Sequence, residues 1–101
     1  MNYFAVMFTG IVESLGIVKE VISNGSNRTF WIESPISHEL KVDQSVSHSG
    51  VCLTVEELNG NGHRVTAIKE TIEKTKLGHR APGNIVNLER SLQLGDRLDG
   101  H

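Results

Sequence analysis

Residues 16–33 read GIVKEVISNGSNRTFWIE and carry the clearest structural signal in the chain. Two runs rich in β-branched residues, Gly16–Ile22 and Thr29–Glu33, flank a polar segment that contains Asn24-Gly25. An Asn-Gly pair between two such runs predicts a tight β-hairpin, because both residues tolerate the positive φ angles that the turn requires. The fold therefore starts from an antiparallel pair of strands.

The same pattern recurs further along the chain. Val51–Leu58 leads into Asn59–Gly62, and Arg64–Ile68 follows, which predicts a second hairpin. Gln44–His48 and Asn84–Glu89 are predicted as two more strands, so the chain has six. Short strands at this spacing in a chain of 101 residues indicate an all-β fold, a small antiparallel sandwich or barrel.

Two short helices are predicted between the strands. In Ser34–Leu40 a capping serine precedes proline, which is the favoured order at the start of a helix. Glu70–Leu77 is polar and helix-permissive, and Gly78 follows it, as glycine commonly follows the end of a helix.

Composition excludes several classes of protein. Apolar residues make up 38% of the chain, too many for a disordered protein, and the length fits one domain. The net charge of −2 supplies no basic stripe for nucleic acid or a membrane surface, and no apolar stretch approaches the roughly 20 residues of a membrane span. The single cysteine, Cys52, excludes a disulfide framework and predicts a reducing, cytoplasmic compartment.

The histidines do not form a recognisable metal-binding pattern. The five are His38, His48, His63, His79 and His101. They show no two-ligand spacing and have no supporting thiol pair, so we expect no metal site. His48 invites an acid–base role because the pKa of histidine lies near neutrality, but a lone histidine in a strand is more often structural.

The strand that begins at Val51 places two kinds of side chain on opposite faces. Val51, Leu53 and Val55 share one face, and Cys52 and Thr54 share the other, because side chains alternate along a strand. The second pair is either the small outer face of a core strand or the wall of a ligand pocket. In a pocket, threonine would offer a hydroxyl and cysteine a soft contact. The pattern alone does not separate these two interpretations.

Several motifs resemble the N-terminal barrel of riboflavin synthase of the alpha-chain type, in family order. They are Met7–Glu13 (MFTGIVE), Ser45–Val55 (SVSHSGVCLTV), Lys69–Thr71 with Thr75 and Leu77-Gly78, Val86–Arg90, and Leu94–His101. The resemblance implies a six-stranded Greek-key barrel over residues 7–101, the N-terminal half of a two-barrel enzyme. Residues 1–6 would then be an extension or a cloning scar.

The resemblance also implies an activity. Riboflavin synthase converts two molecules of 6,7-dimethyl-8-ribityllumazine into riboflavin and 5-amino-6-ribitylamino-pyrimidinedione, with no cofactor or metal. The enzyme of this family is a homotrimer in which two barrels face each other. We expect an isolated half to form a homodimer that binds lumazine and riboflavin and to be weakly active or inactive alone. The alternatives are a non-catalytic lumazine- or flavin-binding protein and, more remotely, an unrelated barrel that binds nucleic acid, which the charge disfavours.

The resemblance assigns site residues by position. Substrate contacts are implied for Gly10, Ile11, Val12, Cys52, Leu53, Thr54, Thr66, Ala67, Ile68, Lys69, Glu70 and Thr71. Catalytic roles are implied for Phe8, Ser45, Cys52 and Thr54, although Phe8 could equally be a core residue. Ser49 stands where the family often has asparagine, which leaves its effect on the ligand open. Asp99 replaces a glycine that is common in the family.

Overall fold

The computed structural model of the chain describes residues 6–93, and it consists mainly of short strands. Within these residues lie nine strands: β1 (Val6–Met7), β2 (Ser14–Asn24), β3 (Asn27–Glu33), β4 (Ser45–His48), β5 (Val51–Thr54), β6 (Glu57–Asn59), β7 (Gly62–Ala67), β8 (Ile85–Arg90) and β9 (Leu92–Gln93). The motif Leu94–His101, including Asp99, lies outside the described residues. Among the described helices, none is long and apolar enough to cross a membrane.

Seven strands form one antiparallel sheet in the order β5-β4-β8-β2-β3-β7-β6, while β1 pairs with β9. The edge strands β5 and β6 are consecutive in the chain and are separated only by Val55 and Glu56. The amide of Val55 donates to the carbonyl of Gln44 (2.9 Å), and that of Glu56 donates to the carbonyl of Arg64 (2.8 Å). The sheet therefore closes on itself through one bent segment that pairs with β4 and then with β7.

The predicted all-β barrel is thus confirmed and every predicted strand is present, but the main sheet of the described residues has seven strands where six were predicted. The predicted strand Val51–Leu58 differs because it is interrupted between β5 and β6, where it changes partner at the barrel's closure. The hairpin turns also differ by one residue from the Asn-Gly prediction. Asn24 pairs with Asn27, so the turn centres on Gly25-Ser26, and the positive φ of 62° falls on Gly25. Glycine at this first central position is typical of a type II′ turn.

The two predicted helices are shorter than expected. Only Ser37–Glu39 of the first becomes helical, as a single 3-10 turn, because the Ser34 hydroxyl bonds to the Ser37 hydroxyl (2.7 Å) instead of capping the backbone. The second is helix α1 (Lys69–Lys74), followed by a 3-10 turn at Leu77–His79. Thr75 separates the two in an extended conformation, so Gly78 lies inside the second turn and does not end the helix.

The barrel interior is filled by an apolar core. Its most deeply buried members come from strands on all sides of the barrel and from Val55 between β5 and β6: Val18, Phe30, Ile32, Val46, Val55, Val65, Ala67, Val86 and Leu88. Alternate residues of the same strands face outward, as the pleat requires. The filled interior leaves the outer surface of the barrel as the place where a flat organic molecule could bind.

Candidate ligand-binding site

Strand β5 presents its two polar side chains outward. Cys52 and Thr54 are exposed, whereas Leu53 and Val55 are buried in the core. The two faces predicted for this strand are therefore correct. β5 pairs with β4 on one side and is an edge of the sheet on the other, where it packs against β7. Its outer side chains are exposed, and its backbone on that side is not paired with a strand.

A row of side chains runs from β5 across the outer face of the sheet. Ser47 of β4 is opposite Cys52 of β5 on one side and opposite Glu89 of β8 on the other. Residues that are opposite each other in antiparallel strands point to the same face, so these three side chains are neighbours on the outer surface. Ser47 is nevertheless only 8% exposed, because another part of the chain covers it.

The covering element is residues 9–13, called the N-terminal segment below. It contains neither strand nor helix, and it crosses the outer face next to β8. At one end, the Glu89 carboxylate accepts hydrogen bonds from the amide (2.5 Å) and hydroxyl (2.7 Å) of Thr9 and from the amide of Gly10 (3.0 Å). These hydrogen bonds, that from the Thr9 hydroxyl foremost, hold the pKa of Glu89 below its ordinary value.

The other end of the N-terminal segment is attached to the two residues of β8 that flank Glu89. The amide of Glu13 donates to the carbonyl of Leu88 (2.8 Å). In return, the Glu13 carboxylate accepts hydrogen bonds from the amide of Arg90 (3.1 Å) and from its guanidinium Nε (2.8 Å). The side-chain hydrogen bond from Arg90 to Glu13 lowers the pKa of Glu13. The guanidinium of Arg90 also donates to the Glu39 carboxylate (3.1 Å).

The N-terminal segment separates two cavities. A cavity of about 290 Å³ has Gly10 and Val12 on one side and Ser47, Ser49 and Asn87 on the other. A second cavity, of about 560 Å³, is bordered by the alternate residues of the segment, Thr9, Ile11 and Glu13, and by Arg90 of β8. The predicted contacts Gly10, Ile11 and Val12 therefore border open space at the barrel surface.

The remaining predicted contacts follow one another at the end of β7 and the start of α1. Thr66 faces outward, where its hydroxyl bonds to that of Thr29 (2.8 Å) and donates to the Glu56 carboxylate (2.9 Å). Ile68 is 56% exposed, whereas Ala67 is buried in the core. Like Leu53, Ala67 can contact a surface ligand only through its backbone.

The first turn of α1 completes that part of the surface. Lys69 and Glu70 are exposed, and Thr71 is half-buried. Because β5 packs against β7 where the barrel closes, the outward residues of the two strands lie on adjoining parts of the same surface. Ser45, which is opposite Thr54, is half-buried on the neighbouring strand, and Phe8 is half-buried just before the N-terminal segment.

Ser49 lies in a strained turn that joins β4 to β5. Its φ of 51° and the φ of 89° at Gly50 place both central residues in the left-handed region, as in a type I′ turn. Asparagine adopts this conformation more readily than serine, which gives a backbone reason for the asparagine that the family resemblance led us to expect. The Ser49 hydroxyl accepts a hydrogen bond from the Asn87 amide (3.1 Å), and the Ser49 amide donates to the Asn87 carbonyl (2.7 Å).

His48 is fully buried, so it cannot touch a ligand on the outer surface. Its Nδ1 donates to the carbonyl of Val46 (2.9 Å), which leaves Nε2 to accept from Nε2 of His63 (2.9 Å). His63 Nδ1 then accepts from the Ser37 hydroxyl (2.7 Å), which accepts in turn from Ser34. Burial lowers the pKa of His48 to about 3 and that of His63 to about 4, so both rings are neutral. Of the two interpretations of His48, the structure supports the structural one.

No group of three or more histidine, cysteine, aspartate or glutamate side chains within residues 6–93 is placed to hold a metal ion. Three residues of this surface were not among the predicted site residues: Ser47, Glu89 and Arg90. They were missed because their importance depends on strands and on a covering segment that are far apart in the chain.

Comparisons with known proteins identify the family of the chain. The family model described as "Lumazine binding domain" matches residues 9–91. Riboflavin synthase of Escherichia coli (strain K12) is 38% identical over 97 residues, which cover 94% of this chain and 46% of that protein. Riboflavin synthase of Schizosaccharomyces pombe is 37% identical over 99 residues, which cover 94% and 47%. The chain spans about half the length of these curated relatives.

Solved structures show the same fold. The crystal structure of LumP complexed with riboflavin has a TM-score of 0.78 and 30% identity, over 83% of this chain and 46% of that chain. LumP complexed with 6,7-dimethyl-8-(1'-D-ribityl) lumazine gives a TM-score of 0.78 and 29% identity, over 83% and 48%. The resemblance to riboflavin synthase noted in the sequence is thereby confirmed, and the chain belongs to the lumazine-binding domain family.

Proposed function

We propose that this chain binds 6,7-dimethyl-8-ribityllumazine and riboflavin on its outer surface and serves as the lumazine-binding half of a riboflavin synthase. The observation that carries the proposal is the outward placement of Cys52 and Thr54 on an edge strand that packs against β7, with Ile68 exposed just after β7. Support comes from the family match, from relatives named riboflavin synthase, and from LumP structures with riboflavin and the lumazine.

The surface suits a flat ring with a polar rim. The free edge of β5 offers backbone N–H and C=O groups in the plane of the sheet, which match the alternating donors and acceptors of a pteridine-like ring. Thr54 and Thr71 supply hydroxyls that can hydrogen-bond to the ribityl chain. Ile68 supplies apolar area for one face of the ring.

For the reaction, we propose that the surface acts chiefly by orientation. One lumazine gives a four-carbon unit to a second, so two bound rings must face each other. Holding them in that geometry replaces a bimolecular encounter with a local one. Proton transfers at the lumazine methyl groups are the remaining requirement. We assign the nearby polar groups Ser45, Cys52 and Thr54 to this region and Phe8 to its closure.

Because the chain provides one such surface, turnover requires a second barrel. We propose that the chain alone forms riboflavin slowly or not at all, and that another copy takes the place of the missing barrel. The test measures binding of 6,7-dimethyl-8-ribityllumazine by equilibrium dialysis and riboflavin formation in a stopped assay. Saturable binding of about one lumazine per chain supports the proposal. A chain that retains no lumazine at high protein concentration overturns it.

The alternative is a non-catalytic lumazine- or flavin-binding protein, favoured by the similarity to LumP. Both functions require the same binding surface, so binding alone does not separate them. Riboflavin formation, measured on this chain and on the longer protein where one exists, separates them directly. Product formed at a rate proportional to enzyme concentration supports the synthase, and its absence in the longer protein supports the binding protein.

A further inference from the structure

We infer that Glu89 is a positioning residue for the ligand surface: its carboxylate fixes the N-terminal segment over the outer face of the sheet, beside Ser47 and Cys52. The inference rests on the proposed function. It concerns a residue outside the predicted contacts, and it follows from the hydrogen bonds of the segment.

Both oxygens of the Glu89 carboxylate accept hydrogen bonds from the N-terminal segment. One oxygen of Glu89 accepts both the amide and the hydroxyl of Thr9, and the other accepts the amide of Gly10. The Thr9 hydroxyl in turn accepts a hydrogen bond from the amide of Ile11 (3.1 Å). Three successive backbone amides of a segment without secondary structure are therefore satisfied by one side chain, directly or through Thr9. Charge-assisted hydrogen bonds of this kind are roughly twice as strong as neutral ones.

The position of Glu89 links this segment to the rest of the surface. Glu89 is opposite Ser47, which is opposite Cys52, so the segment is held at the end of a row that leads directly to β5. Gly10 itself has a φ of 82°, which bends the backbone over the small cavity that Ser47 also lines. Moving Thr9 and Gly10 away from β8 would open this cavity and expose Ser47.

Among the described hydrogen bonds of Thr9 and Gly10, those to Glu89 tie this end of the segment to the main sheet, and just before it Val6 and Met7 pair with β9. At the far end, Glu13 is held independently by Arg90 and by the Leu88 carbonyl. Loss of the Glu89 carboxylate should thus release residues 9–12 while the barrel and the Glu13 end stay in place. Because only this segment opens, the global free energy of unfolding should fall by no more than the lost hydrogen bonds contribute.

The test compares Glu89→Gln with Glu20→Gln, which removes the same charge from an exposed position of β2. Two quantities are measured: amide hydrogen exchange at Thr9 and Gly10, and the affinity for riboflavin from its fluorescence. For Glu89→Gln we expect exchange at the two amides to be at least roughly tenfold faster and riboflavin binding to be about fivefold to tenfold weaker. In Glu20→Gln, the urea midpoint of unfolding, the amide exchange and the riboflavin affinity should all match the wild type.

A second variant tests whether the loss of the Glu89 charge alone explains weaker binding. Thr9→Val removes the hydroxyl but keeps the charge of Glu89, and it should weaken binding in the same direction by a smaller factor. Unchanged amide exchange in Glu89→Gln would overturn the fixation. Faster exchange with unchanged riboflavin affinity would overturn the positioning role. If the wild-type chain bound no riboflavin, the proposed function would fall, and with it the ligand part of this inference.

Discussion

Nε2 of His48 lies 2.9 Å from Nε2 of His63 inside the barrel, and the contact joins strands β4 and β7, which are not neighbours in the sheet. Both ring nitrogens of each histidine have hydrogen-bond partners, and the direction of the chain fixes one neutral tautomer for each ring. A proton added to Nε2 of His48 would place two donors at this contact, and a proton added to Nδ1 of His63 would place two donors at its contact with the Ser37 hydroxyl. The pair therefore holds the barrel closed only while it is neutral.

The first prediction is that acid destabilises the barrel through this pair. The folded pKa values of about 3 and about 4 lie below the ordinary histidine value, so the unfolded chain binds protons that the folded barrel does not. The free energy of unfolding should fall as the pH drops below about 6.5, by about 1.4 kcal/mol per pH unit for each histidine. Urea denaturation between pH 7 and pH 5 measures the slope.

The matched control for this pH dependence replaces both rings with apolar side chains, in His48→Leu with His63→Leu. The double variant should show a much flatter profile over the same range, whatever its stability at pH 7. A profile as steep as that of the wild-type chain would show that other groups cause the acid sensitivity.

The second prediction concerns the turn that contains Ser49. Asparagine tolerates the left-handed conformation better, so Ser49→Asn should raise the free energy of unfolding by about 0.5–1 kcal/mol. Ser49→Ala keeps the strain and removes the acceptor of the Asn87 amide, so it should lower that free energy by about 1 kcal/mol. Urea denaturation of the three proteins tests the order, and an alanine variant as stable as the asparagine variant would contradict it.

Sequence reasoning predicted most of this fold because its signals are local. The alternation from Val51 to Val55 identified the faces of β5 correctly, and the turn-rich segments marked where strands end. The exact turn residues were not predictable in the same way. Asn24 and Gly25 both tolerate positive φ, and the pairing of Asn24 with Asn27 decided which residues formed the turn.

The features that were not predicted depend on contacts between distant residues. Thr9 and Glu89 are eighty positions apart, and His48 and His63 meet only after the barrel closes. The predicted helix at Ser34 failed for a related reason, since the Ser34 hydroxyl takes part in the hydrogen-bond chain to His63. No local sequence pattern predicts these long-range hydrogen bonds, whereas the alternation of apolar and polar residues predicts the strands.

The third prediction tests the outer face of β5. Thr54→Val keeps the shape of the side chain and removes its hydroxyl, so we expect riboflavin to bind about twofold to tenfold more weakly, as for the loss of one hydrogen bond. Ser23→Ala, on the exposed end of β2, is the control and should bind riboflavin like the wild type. Fluorescence titration measures both, and equal affinity for the two variants would remove Thr54 from the binding surface.

The fourth prediction concerns self-association. Leu15, Ile17 and Ile85 are exposed on the paired strands β2 and β8, where Ile17 is opposite Ile85. We expect the chain to form a dimer through this apolar face, with twice the 11.1 kDa mass of one chain in light scattering. Ile85→Lys should shift the dimer towards the monomer. A wild-type chain that scatters only as an 11.1 kDa species would contradict the prediction.

The most direct test of the central claim, that the outer surface of this barrel binds the lumazine and flavin ring system, is a titration of riboflavin followed by its fluorescence. We predict a saturable change in emission that reaches its plateau at about one riboflavin per chain and is reversed by added 6,7-dimethyl-8-ribityllumazine. Emission that stays unchanged at high protein concentration would contradict the claim.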